Sequence, residues 1–154
     1  MKRMYPTEKP LVVKAFARYI RRSMSEKNKE IVGKVNKALS AGNFELLFDL
    51  CADDLLFTII GDRTVKGKEN ARQFMRSMAV ESPEPPKINP IDPILADGDF
   101  VVSRGNMQMK EKDGKEGYYS YCDIYRFRGD KIAELSSYVV KAEAQSKSTG
   151  ASSR

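Results

Sequence analysis

Residues 100–141 constrain the fold more than any other stretch. Phe100 to Met109, Glu116 to Arg128 and Lys131 to Lys141 are rich in aromatic and β-branched side chains, and the turn-forming segments "KDGK" and "RGD" join them. Connections this short return each strand antiparallel to the one before it, so the C-terminal third predicts a three-stranded meander. Upstream, apolar residues recur at helical spacing and no β-α-β repeat occurs. Helices first and a meander last predict an α+β domain with a mostly antiparallel sheet.

Leu11 to Arg22 sets Val12, Ala15, Phe16, Tyr19 and Ile20 opposite Lys14, Arg18 and Arg21, the pattern of an amphipathic helix. Ser25 is placed to cap a second helix, with Ile31, Val32, Val35, Ala38 and Leu39 as its buried face and Gly42 as its stop. Phe44 to Leu50 reads as a short helix, "DLLFTIIG" as a strand, "DRTVKG" as a turn with a short strand, and Lys68 to Met78 as a helix. Five of the seven prolines fall in "SPEPPKINPIDPIL", which limits that segment to a loop and an edge strand. The chain thus divides into an N-terminal amphipathic extension (1–24), one domain (25–141) and a polar tail (142–154) expected to be disordered.

Charge is placed unevenly. Residues 1–35 carry ten Lys and Arg against three Glu, whereas residues 36–154 carry seventeen against eighteen acids. The domain is nearly neutral, and the basic helix reads as a solvated cover for it; it has few of the interleaved contacts of a nucleic-acid site, so nucleic acid is not an expected partner. The chain has no histidine, and Cys51 and Cys122 lack metal-ligand spacing. That argues against a zinc site or a disulfide framework, predicts no metal or cofactor, and fits a reducing cytoplasm. Lys14 and Arg18 break the first apolar patch, which is therefore neither a signal peptide nor a membrane span.

Within the aromatic run "YYSYCDIYRF" stands one carboxylate, Asp123, a residue that such strands avoid. Alternation puts Tyr119, Tyr121, Asp123, Tyr125 and Phe127 on one face. Three readings of Asp123 stand: a cross-strand ion pair with Arg104, an acid held in a pocket, or a strand residue exposed to solvent.

A helix ending in "SAGNFELLFDLCADDLLFTI", a glycine-led helix "VKGKENARQFM" and a last hairpin "DIYRFRGDKIAEL" together resemble the nuclear transport factor 2-like superfamily, in its SnoaL-like and ketosteroid isomerase-like branch. The likeness covers about residues 25–141. It implies a cone-shaped barrel, in which a curved, mostly antiparallel sheet wraps around three helices, here with an extra N-terminal helix. It also implies an apolar cavity and a homodimer through the outer face of the sheet. The stripe Val12, Phe16, Tyr19 and Ile20 is then expected to pack on its own domain or on the dimer mate.

In ketosteroid isomerases, an acid at the position matched by Asp123 stays protonated and donates a hydrogen bond to a developing oxyanion. The positions matching that family's Asp base and oxyanion-hole Tyr hold Ile59 and Val35. Limonene epoxide hydrolases use Arg and Asp two apart, with a further Asp on the last strand; Arg104, Asn106 and Ser137 occupy those positions here. SnoaL-type cyclases also look to an acid where Ser137 stands. No known reaction of the family is inherited intact. The resemblance implies a pocket with Asp123 as the candidate acid and Tyr119, Tyr121, Arg104, Asn106, Phe57, Ile59 and Val35 as candidate ligand contacts. Two function classes follow: a small-molecule-binding domain for an apolar or carbonyl-bearing ligand, or an isomerase- or cyclase-type enzyme with Asp123 as acid or base.

Overall fold

The computed structural model describes residues 10–82 and 84–143. The short polar lead before Pro10 and the tail from residue 144 onward lie outside the described residues. The elements run α1 (Leu11–Ser40), α2 (Glu45–Asp49), β1 (Cys51–Ile59), β2 (Arg63–Lys66), α3 (Lys68–Glu81), β3 (Lys87–Asp97), β4 (Phe100–Lys110), β5 (Glu116–Arg128) and β6 (Lys131–Ala142). The six strands form one curved sheet in the order β2-β1-β6-β5-β4-β3. Among the described residues only the β1–β6 pair is parallel. The meander read from sequence is β4-β5-β6, and the proline-bearing segment is the edge strand β3, whose pairing with β4 is irregular between Ile91 and Leu95, around Pro93.

The helices predicted as two are one continuous α1 of 30 residues. Nothing between Arg22 and Ser25 breaks a helix, and Ser25 does not cap. Its buried hydroxyl donates to the Arg21 carbonyl at 3.0 Å, one turn back, and accepts from the Gly98 amide at 2.8 Å. Gly42, at φ 76°, takes the left-handed conformation that ends α1.

Alternation along the strands decides which side is core. Val101, Tyr121, Tyr125, Phe127, Leu135 and Phe57 share the inner face and are buried. Val32, Val35 and Leu39 of α1, Leu47 and Phe48 of α2, and Ala71 of α3 close over them. α1 lies across β3 and β4, and α3 lies against β1 and β2. Two side-chain anchors seat α1: Asn28 donates to the Gly98 carbonyl at 3.1 Å, and Asn36 donates to the Ser103 hydroxyl at 2.9 Å. All four of Ser25, Asn28, Asn36 and Ser103 are buried and bonded, as buried polar groups must be. Among the described residues no helix is long and apolar enough to cross a membrane.

Candidate functional site

Cross-strand pairing sets the surroundings of Asp123. Ser103 of β4 lies opposite it on one side and Ser137 of β6 on the other, and Ile59 of β1 lies beside Ser137. The four side chains form one row across the inner face. The rows above and below it hold Gly105, Tyr121 and Val139, and Val101, Tyr125, Leu135 and Phe57.

The Ser137 hydroxyl donates to Asp123 Oδ1 at 2.6 Å. Asp123 lies deep in the fold yet keeps part of its surface accessible. Burial pushes its carboxyl up to about 6, against the opposing pull of the Ser137 hydrogen bond and of the nearby Tyr125 hydroxyl. Tyr121 is pushed up to about 12 by burial, with the Asp123 charge adding to it, and Tyr125 is raised for the same reasons. Both phenols therefore stay neutral and can donate. Neither hydroxyl has a hydrogen-bond partner of good geometry: Tyr125 is fully buried and Tyr121 is 8% exposed. The Tyr121 ring lies over Gly105, where a Cβ would come within 2.5 Å of the Tyr121 hydroxyl and 2.4 Å of the Asn89 carbonyl oxygen. Only glycine leaves room for the ring there.

The structure brings some of the sequence candidates together and separates others. Asp123, Tyr121, Phe57 and Ile59 meet on the inner face, and Val35 is fully buried in the core cluster beneath α1. Tyr119 shares the face by parity but lies four residues along β5, about 13 Å away. Its hydroxyl donates to Glu111 at 2.9 Å. Arg104 and Asn106 point the other way. Arg104 is exposed opposite Cys122, and Asn106 accepts from the Ser120 hydroxyl at 3.3 Å on the outer face. A cross-strand pair between Asp123 and Arg104 is ruled out by that register, and the inward positions of β4 belong to Ser103 and Gly105.

Ser137 and Ser103 are the neighbours of Asp123 that sequence reasoning did not place. Ser137 stood out only as a missing acid, whereas the alternation of β5 had already set Tyr125 beside Asp123. Two surface clefts, of about 320 Å³ lined by Glu81, Glu111, Lys112 and Gly114, and of about 180 Å³ between α2 and α3, include none of these residues. Cys51 is buried and its thiol is raised to about 12 by desolvation, which makes it inert. Among the described residues no group of three acids or cysteines could hold a metal.

No curated protein matches the chain. Solved structures do. An NTF2-like protein of unknown function from Cytophaga hutchinsonii is 27% identical, with a TM-score of 0.61 over 73% of this chain and 98% of that one. An LEH-like epoxide hydrolase from M. tuberculosis is 16% identical, with a TM-score of 0.63 over 75% and 84%. TerC, co-crystallised with polyporic acid, is 13% identical, with a TM-score of 0.64 over 75% and 92%. The last two likenesses are of fold alone. Residues 32–135 match the profile of the SnoaL-like domain, which spans the C-terminal end of α1, α2, α3 and the sheet through Leu135. The chain belongs to the SnoaL-like domain family, on the NTF2-like fold.

Proposed function

We propose that this chain binds a small, largely apolar ligand carrying a hydrogen-bonding oxygen, seated against the inner face of the sheet at Asp123. The observation that carries this reading is the unpartnered, buried hydroxyl of Tyr121 on the same face as a deeply placed acid. Buried polar groups are normally bonded, and a ligand oxygen entering beside Asp123 supplies the missing acceptor. Below its pKa of about 6 Asp123 donates as well, so a carbonyl ligand is held best at mildly acidic pH. Ile59 and Phe57 make the apolar side of the seat.

A second reading, an enzyme acting on a hydrophobic carbonyl compound, is favoured by the same carboxyl, because an acid titrating near 6 suits proton transfer close to neutral pH. A second proton-transfer group is what this reading lacks. Ser137 stands where relatives carry an acid, and the two phenols are shifted away from ionisation. Binding without turnover is therefore the stronger conclusion. The pairing of subunits expected of this fold would use the outer face, where Leu95, Phe100, Tyr138 and Val140 are exposed.

A panel of hydrophobic ketones and quinones, screened by thermal shift at mildly acidic and mildly alkaline pH, tests the proposal. Ligands should raise the melting temperature more at the lower pH, and Tyr121→Phe should weaken them. Turnover of a ligand by the wild type but not by Asp123→Asn establishes the enzyme reading instead. Ligands indifferent to both substitutions would sink the proposed seat.

A further inference from the structure

The first half of α1 presents an apolar face that its own domain does not cover. Every described residue from Pro10 to Met24 is exposed, with Leu11 at 83%, Val12 at 78%, Phe16 at 65% and Tyr19 at 68%. Packing on its own domain, one of the two expected outcomes, is thereby excluded among the described residues. The cause is rotational. At 100° per residue, Val12, Phe16, Tyr19 and Ile20 centre roughly 150° around the helix from the core-facing Ser25, Asn28, Val32, Val35 and Leu39. The side of the first half that does face the sheet carries Arg21, which grips Asp97 at the β3–β4 turn through two bonds of 2.7 Å. Beyond that clamp, Leu11 to Ile20 extend the helix by about 15 Å.

Charge selects the occupant. Residues 1–25 carry seven Lys and Arg and one Glu, and residues 26–154 carry twenty of each sign, so the whole net charge of +6 belongs to this end of the chain. No acid occurs from Pro10 to Ser25. Further along the helix, exposed Lys27 and Lys34 fall in the same angular sector as Phe16 and Ile20, so a surface that touches the stripe also meets their ammonium groups. A second copy of the same helix would bring like charges together, and nucleic acid has no use for the apolar stripe. We infer that the N-terminal half of α1 is an in-plane docking helix for an anionic phospholipid surface: the stripe enters the headgroup boundary, and the basic residues add electrostatic attraction.

The test is co-sedimentation of the full chain with vesicles of phosphatidylcholine alone and of phosphatidylcholine mixed with phosphatidylserine. The protein should partition onto the mixed vesicles, bind the neutral ones weakly and come off as salt rises. Phe16→Asp with Ile20→Asp should lower the partition on the order of tenfold or more. Both side chains are exposed, so the melting temperature of that variant should not change. Lys27→Glu with Lys34→Glu should weaken binding to the mixed vesicles only. Failure of the wild type to bind mixed vesicles at low salt overturns the inference, as does undiminished binding by the Phe16 and Ile20 variant. A concentration-dependent dimer that this variant dissociates, with no vesicle binding, would assign the stripe to a second copy instead.

Discussion

Replacing Asp123 by Asn measures the electrostatics of the inner face directly. The substitution keeps the shape and the Oδ1 acceptor for the Ser137 hydroxyl, 2.6 Å away, and removes the charge. The carboxyl rises from 3.8 to about 6 on folding. A group that is more easily protonated when folded holds extra protons in the native state, so stability falls as pH climbs from the unfolded value through the folded one. The penalty is nearly absent below pH 3.8 and fully developed above about 6. A shift of this size corresponds to about 3 kcal/mol when complete. Between pH 4 and pH 8 the stability of the wild type relative to Asp123→Asn should therefore fall by about 2.5 kcal/mol. In melting temperature that is roughly 5–10 °C for a domain of this length. Any cost of burying the Asn amide is the same at both pH values and drops out of the difference. Urea denaturation of both proteins at the two pH values supplies the numbers. A difference that does not vary with pH, or that grows in the opposite sense, refutes the assignment of Asp123 as a desolvated acid.

Three other substitutions probe the scaffold around it. Gly105→Ala places a methyl 2.4 Å from the Asn89 carbonyl oxygen and 2.5 Å from the Tyr121 hydroxyl, so it should destabilise by about 1–3 kcal/mol in chemical denaturation and shift the tyrosine near-UV signal. Asn36→Ala removes the 2.9 Å bond to the buried Ser103 hydroxyl and should lower stability by about 1–3 kcal/mol, with Ser103→Ala in the same chain recovering part of the loss. Arg21→Ala breaks the clamp on Asp97, but both side chains are well exposed and the pair is screened by solvent, so the melting temperature should barely change.

Much of the fold was legible because its signals are local. The three strands of the meander, the proline-bearing edge strand and the glycine that ends α1 each follow from residue type and spacing. The parallel β1–β6 pair was not, since it joins segments about 80 residues apart and depends on the curvature of the whole sheet. The continuity of α1 was missed because Ser25 has the right chemistry for a cap. Its hydroxyl is drawn instead to the Gly98 amide, 73 residues away, and a cap signal cannot foresee a tertiary partner.

The resemblance places Arg104 and Asn106 beside Asp123, and one residue of loop length decides against it. Taking "KDGK" as a four-residue hairpin loop would pair Glu111 with Glu116 and, counting inward, Arg104 with Asp123. The strands actually close at Lys110 and Glu116 around a five-residue loop in which Gly114 adopts φ 82°, so Asp123 faces Ser103. A slip of one residue turns every side chain of a strand to the other face, which is why Arg104 and Asn106 left the site together. On the other side, the tight turn at Gly129 and Asp130 would by itself set Asp123 opposite Ser136. The irregularity that leaves Ala133 unopposed moves the pairing on to Ser137. Asp123 is thus flanked by two hydroxyls in place of a guanidinium, and the direction of its pKa follows from that. Beside Arg104 the carboxyl would be held below its ordinary value and would stabilise the sheet near neutral pH. Between two serines, with desolvation dominant, its pKa rises to about 6, which is what the proposed ligand seat requires of it.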